Sequence, residues 1–321
     1  MENVDGQGVP GFGALASNVM DADLDTEHHA RLTTARSREL GQELHLARKR
    51  AKLTATTVAE ELGWSPGKLS KMEHGWRGTS SWDYGTLLGK LGADRQTRER
   101  IQRIAAEQDI GHFIRAHEGR LSDNLLCLMI HEQAALTMHK YEPMLIPGLL
   151  QTEAYARTII DLDTPDSSDL ELMVEARMGR QSALTGVRAP DAVFYIHETA
   201  LRGFIGSPEV MHDQMMRLVF MCEWTRVALR VIPMSAASHP ALNHSSNLMT
   251  FAKSIKPVAY SETDVATVFT EEQRSIEAYQ RKQKVLAGLA FDAEQSRSVF
   301  ARWADFYDRR EDRDDQGPEL A

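Results

Sequence analysis

The chain has 321 residues, 42% of them hydrophobic and 26% charged, which suits two domains with a true core and excludes a wholly disordered, collagen-like or disulfide-stapled chain. Cys127 and Cys222 lie far apart without CxxC spacing, no segment approaches the roughly 18 apolar residues of a membrane span, and residues 1–30 hold no Lys or Arg for a secretory signal, so a reducing cytoplasm is expected. The net charge of −9 is uneven: residues 1–30 carry six acids and no base, 31–105 carry 15 bases against 8 acids, and 106–321 carry 22 against 32.

Residues 1–33 read as a flexible acidic tail, because GQGVPGFG is rich in Gly and Pro and no apolar period follows. From Thr34 the pattern becomes helical. Leu40, Leu44, Ala47 and Ala51 share one face of a first helix, closed at Lys52-Leu53. A second helix fits 54–62, with Thr54 as N-cap, Val58, Ala59 and Leu62 inward, and Gly63 at its end. A third fits 65–74: Ser65 caps it, Pro66 takes the first helical position, and Gly75 stops it, with Leu69 and Met72 inward. A fourth starts near Ser81 and a fifth near Asp94. Residues 34–106 are thus expected to form a five-helix, all-α domain.

Residues 106–140 read as mainly helical, with Leu121, Leu125, Leu128, Met129 and Glu132 on related faces. Thr152 and Ser168 are candidate caps of two further helices. Strand patterns follow at 192–197, 227–233, 247–252 and 258–261, with a helix at 208–223 between the first two. Two helices, 271–287 and 292–309, end the ordered part, the second capped by Asp292. Residues 107–308 therefore read as an α+β domain, and 309–321 as a charged tail.

The informative stretch is TATTVAEELGWSPGKLSKMEHG, 54–75. Two short helices with a tight turn at Gly63-Trp64-Ser65 have helix-turn-helix spacing, in which the second helix enters the major groove N-terminus first. Ala59 is small enough for close helix approach, and Gly63 supplies the positive φ a sharp turn needs. The outward face of the second helix is Gly67, Lys68, Ser70 and Lys71, and both lysines can donate to guanine or phosphate.

Residues 36–105 resemble the lambda-repressor-like, XRE-type helix-turn-helix family, and GWSPGKLSKMEHGWRGTSS resembles the version found in actinomycete regulators. The resemblance implies a structural ion pair between Arg48 and Glu73, and backbone contacts from the loop carrying Trp76 and Arg77. Where the family often has Gln, or Arg or Gln, this chain has Ala55, Pro66 and Gly67. The expected DNA contacts are therefore Thr54, Thr56, Ser65, Gly67, Lys68, Ser70, Lys71, Trp76 and Arg77. YEPMLIPGLLQTEAYART, VEARMGRQSAL, HETALRGFIGSPEVMHDQM and LRVIPMSAASHP resemble the C-terminal domain that accompanies these antitoxin-like regulators. The expected target is a double-stranded DNA operator, and the C-terminal domain is expected to dimerise, to sense a small-molecule effector or to bind a partner, the resemblance implying a small acidic partner protein and half-site geometry a homodimer. Nucleoid association in the cytoplasm goes with it. The alternative is an interaction protein that mainly holds its partner and regulates its own expression.

Other strings fail by context. GQGVPG at 6–11 fits GxGxxG, but no strand precedes it. His131-Glu132 and His197-Glu198 begin HExxH, yet the fifth positions are Ala135 and Leu201. His239 and His244 lack a third metal ligand. PGLLQT at 147–152 reads as a turn before a capped helix, and Met211, Met215, Met216, Leu218, Val219 and Cys222 as a core stripe. No enzyme activity, cofactor or metal is expected.

Overall fold

A computed structural model describes residues 33–76, 80–117, 123–165, 167–252 and 255–311. The two predicted tails therefore lie outside the described residues, apart from Thr33 and 309–311, as do Arg77 and the 6–11 string. Between 35 and 106 the chain forms α1 (Ala35–Arg50), α2 (Ala55–Glu61), α3 (Pro66–Glu73), α4 (Ser81–Lys90) and α5 (Arg95–Ala106). Each start has a side-chain cap. Thr34 forms a reciprocal box with Ser37, Ser80 does so with Asp83, and Thr54, Ser65 and Asp94 each accept from a backbone N–H three residues on. The apolar faces of these helices close one core around Leu44, Val58, Leu69, Leu87, Leu88, Ile101 and Ile104. Each such buried side chain contributes roughly 1.5–3 kcal/mol relative to exposure.

Two glycines hold this bundle together. Gly63 has φ 64°, a left-handed conformation that ends α2 in one step. Gly75 has φ 70°, and a Cβ there would lie 2.1 Å from the Ser37 carbonyl oxygen, so only glycine lets the end of α3 pass α1.

The remaining elements are β1 (His112–Ala116), α6 (Asp123–Ala134), β2 (Thr137–Glu142), α7 (Glu153–Asp163), α8 (Leu170–Gly179), α9 (Ser182–Thr185), β3 (Asp191–His197), α10 (Glu198–Arg202), α11 (Pro208–Met221), β4 (Val227–Ile232), β5 (Ser246–Thr250), β6 (Val258–Glu262), β7 (Ala266–Thr270), α12 (Gln273–Leu289) and α13 (Ala293–Glu311). Among the described residues seven strands form one mixed sheet in the order β1-β7-β6-β5-β2-β3-β4. β2, β3 and β4 run parallel and the other pairings are antiparallel. Parallel strands need crossovers, and α7–α9 and α10–α11 supply them. Along β3, Phe194 and Ile196 enter the larger core with Met211, Met215 and Phe300, while Tyr195 joins Tyr141, Ile232 and Leu286 of α12 in a second core. Burial on both faces explains its unbroken apolar run.

The expectation of a mainly helical 106–140 is corrected: β1 and β2 flank α6 there. The inward positions of these strands include Arg115 and Lys140, both buried. A charged residue at an inward position erases the apolar alternation by which a strand is read. β7 was not expected either. Ser168 does not cap α8, because Asp169 occupies that position without a side-chain bond. The caps at Thr152 and Asp292 are present. In the methionine stripe, Met211, Met215 and Leu218 are fully buried.

The first helix belongs to both regions. Ala35 is buried in the core of the sheet region, and Arg38 lies over the Phe251 ring at 4.5 Å. One turn further, Leu40 and Leu44 enter the helical core.

Candidate nucleic-acid interface

Trp64 N–H donates to the Ala59 carbonyl at 2.8 Å, which fixes the turn between α2 and α3. α3 then starts abruptly: Ser65 Oγ accepts from Lys68 N–H at 3.2 Å, and Pro66 fills a position whose N–H would have no helical partner. Leu69 and Met72 face the core, so Gly67, Ser70 and Lys71 are left on the surface. Thr54 and Thr56 at the start of α2 are exposed on the same motif, as is Ser65. Thr54 Oγ1 is already committed to the Thr57 N–H and hydroxyl.

The two lysines differ from the expected pair of free amines. Lys71 is exposed and has no ion pair or hydrogen bond from its side chain among the described residues. Lys68 Nζ is 2.5 Å from Asp83 Oδ1 and 4.2 Å from the centre of the Trp64 ring. It leans toward α4 because Asp83, the third residue of that helix, also serves the Ser80 capping box and points its carboxylate at α3. The hydrogen bond from Lys68 is the chief cause that holds the Asp83 pKa below its ordinary value. The Lys68 side chain keeps 38% exposure, and an ion pair that open is worth only about 0–1 kcal/mol, so a phosphate can compete for it.

Behind this surface the predicted ion pair is present. Arg48 Nε donates to Glu73 Oε1 at 2.6 Å and Nη2 to Oε2 at 2.8 Å, and His45 Nδ1 lies 2.8 Å from Oε2. Burial pushes the Glu73 pKa up, but the bonds from Arg48 and His45 outweigh it and the net shift is downward. A third Arg48 bond, from Nη1 to the Leu53 carbonyl at 2.9 Å, ties the α1–α2 turn to the same group. The cluster fixes α3 against α1 and contributes no exposed charge. Trp64 is half-buried against the helical core, packed under the turn. Trp76 is exposed.

Three features were not read from the sequence. Lys49 and Lys52, at the end of α1 and in the turn beyond it, are exposed and unpaired among the described residues. Trp82 is 81% exposed on the first turn of α4. Asp83 restrains Lys68. The first two were legible as a cationic run followed by a helix cap; the third needs the distance between α3 and α4.

The strings resembling catalytic motifs serve the fold. His131 is buried, and burial lowers its pKa to about 3, with Arg38 adding to the shift; its Nδ1 is 2.7 Å from the Cys127 carbonyl. Glu132 accepts from Lys140 Nζ at 2.5 Å and from Arg180 Nη2 at 2.7 Å. Burial would raise its pKa, but those two cations bring it to about 2. His197 caps α10, and Glu198 accepts from the Met234 N–H. Among the described residues no three His, Cys, Asp or Glu side chains are grouped to hold a metal ion, and no helix is long and apolar enough to cross a membrane.

This geometry defines a helix-turn-helix domain, and a family model described as a helix-turn-helix domain matches residues 39–101. A second model, described as a domain of unknown function (DUF5753), matches residues 126–302, more than half of the chain, and the protein belongs to that family. No curated protein matches it.

Proposed function

We propose that the chain is a sequence-specific regulator of transcription that binds double-stranded DNA with α3 in the major groove. One observation carries this reading: α3 stands on a buried Arg48–Glu73 anchor and turns Gly67, Ser70 and the unpaired Lys71 outward. Lys71 and Ser70 have the donors that read base edges, while Lys49, Lys52 and the exchangeable Lys68 suit phosphate. Residue by residue, the interface comprises Thr54, Thr56, Ser65, Gly67, Lys68, Ser70 and Lys71, with Trp76 and Arg77 on the backbone side.

The regulator acts as a dimer in this reading. One recognition helix covers only a few base pairs, and a second half-site about 10 bp away yields a longer, two-fold-related target. The reading places it in the XRE-type group of actinomycete regulators, working at the nucleoid in the cytoplasm and without catalysis. The bond of His131 to the Cys127 carbonyl and that of Glu132 to Lys140, both buried, support that last point.

The test is selection of bound duplexes from a random pool by the full chain, followed by fluorescence anisotropy on the selected sequence. The expected result is one motif, palindromic in form, bound at least 1,000-fold more tightly than scrambled DNA, in line with the roughly 10³–10⁷ span of specific regulators. Equal affinity for all duplexes overturns the reading of sequence specificity, and a strict monomer on the selected palindrome overturns the dimer.

A further inference from the structure

A cavity of about 370 Å³ opens beside α6, α7 and α8 in the sheet region. That volume lies in the range of roughly 300–1,000 Å³ typical of small-molecule sites. Its apolar wall includes Leu125, Leu128, Ile159 and Ile160, and two guanidinium groups, Arg177 and Arg180, also line it.

The two arginines are in different states. Arg180 is paired with a carboxylate: Nε donates to Glu132 Oε2 at 2.9 Å and Nη2 to Glu132 Oε1 at 2.7 Å. Among the described residues Arg177 has one side-chain hydrogen bond, from Nη1 to Gln151 Oε1 at 3.1 Å. Its Nε is sealed from solvent without an acceptor, and no carboxylate lies within 4 Å of it among the described residues. Burial, and next the neighbouring Arg180, lower its pKa to about 10. Arg177 is half-buried, and the carboxylates that offset its charge, Glu262, Glu132 and Asp163, act from a distance, so its planar group can still take a direct carboxylate acceptor.

The turn at 147–152 holds this arginine in place. A Cβ on Gly148 would lie 3.4 Å from Arg177 Cδ, so the chain runs close beneath the side chain. Gln151, itself buried, donates to the Ile146 carbonyl and turns its oxygen to Arg177. The acids that line the cavity, Asp163, Glu262 and Asp264, are all exposed and form its rim. Such a rim repels anions in proportion to their charge, a monocarboxylate less than a nucleotide or a sugar phosphate.

We propose that this cavity binds a small organic molecule with one carboxylate and an apolar body, the carboxylate on Arg177 and the body against Leu125, Leu128, Ile159 and Ile160. This site is separate from the DNA-binding surface and does not depend on that reading. Leu125 and Leu128 lie on α6, which packs against α1, so an occupant sits one helix away from the helix-turn-helix domain.

The experiment is isothermal titration of the full chain with octanoate and phenylacetate, beside octylamine, 1-octanol and inorganic phosphate. At least one carboxylate is expected to bind saturably at one site per chain, at least tenfold more tightly than 1-octanol, with no heat from octylamine or phosphate. Arg177→Gln is expected to weaken it at least tenfold. Ile159→Phe, which fills the cavity and leaves the arginine intact, is expected to do the same, and a melting curve shows whether each variant is folded. Absence of saturable binding by both carboxylates overturns the proposal. So does equal binding of 1-octanol or phosphate, or unchanged affinity in both folded variants.

Discussion

Arg115 of β1 and Glu39 of α1 form a buried ion pair that joins the sheet to the helix-turn-helix domain. Arg115 Nε lies 3.0 and 2.9 Å from the two Glu39 oxygens, Nη2 is 2.5 Å from Oε2, and the side chains are 1% and 0% exposed. Burial works against both charges, raising the Glu39 pKa, but the carboxylate holds the Arg115 pKa above its ordinary value. Arg100 of α5 shares Glu39 at 3.0 Å, and Glu107 shares Arg115 at 2.9 Å. The first and last helices of the DNA-binding domain are thus fastened at one point to the edge of the sheet.

Arg115→Ala is expected to destabilise the protein by about 3–5 kcal/mol, the range for removing one partner of a buried pair. Glu39 would remain beside Arg100 alone, without its bonds from Arg115. Urea denaturation followed by far-UV circular dichroism measures the loss. A change below about 0.5 kcal/mol would show that the pair is not a fastening.

Lys71→Ala is expected to weaken specific DNA binding by about 1–3 kcal/mol without changing the melting temperature. Its amine has no partner among the described residues, so its removal leaves no orphaned group among them. Anisotropy titrations on the selected and scrambled duplexes separate two roles. A loss confined to the selected sequence marks a base contact, whereas an equal loss on both marks a phosphate contact.

Asp83→Asn should tighten DNA binding, chiefly on non-specific sequence. In the free protein Lys68 is held by the Asp83 carboxylate, and binding must exchange that carboxylate for phosphate. Neutralising the competitor keeps an acceptor for Ser80 and removes a negative charge from the interface. The plot of log affinity against log salt should steepen by up to about one phosphate contact. Unchanged affinity and slope would mean that Lys68 stays clear of DNA.

The sequence made the helix-turn-helix domain far more legible than the sheet. Its caps Thr54 and Ser65 and its turn glycine Gly63 are local devices, each read within a few residues, and the helix starts at Thr34 and Asp94 were legible as local pattern changes. The Arg48–Glu73 pair was legible through family resemblance, since 25 residues separate the partners. β1 and β2 were hidden because Arg115 and Lys140 sit at inward positions, where an apolar residue would have revealed the alternation. Their charges make sense only beside Glu39 and Glu132, which the fold brings in from other elements. Lys68 misled for the same reason: helical spacing places it near Lys71, but Asp83 comes from the next helix. The cavity around Arg177 draws on α6, α7 and α8, and no single stretch of sequence contains it.

The adjacent His131 and Glu132 both make the fold less stable as pH falls. Glu132 has a pKa of about 2 in the folded chain, against an ordinary value of about 4.3. Its stabilisation is complete above that ordinary value and is lost as pH falls toward 2. His131 has a pKa of about 3 in the fold, against about 6.5 when free. Between those values the unfolded chain binds a proton that the folded chain excludes, so stability also falls as pH drops below about 6.5. The two groups act with the same sign in successive windows, and His131 titrates first. Burial holds Glu142 at about 8 and Glu271 at about 7, so the folded chain keeps protons there that the unfolded chain lacks, and these carboxyls oppose His131 between pH 6.5 and 4.5. His131→Phe keeps an aromatic ring beside Phe251 and Phe269 and removes the titrating group. The variant should melt lower at pH 7, having lost the bond to the Cys127 carbonyl, but its deficit against the parent protein should shrink from pH 6.5 to 4.5. A deficit that stays constant over that range would show that His131 does not link folding to pH.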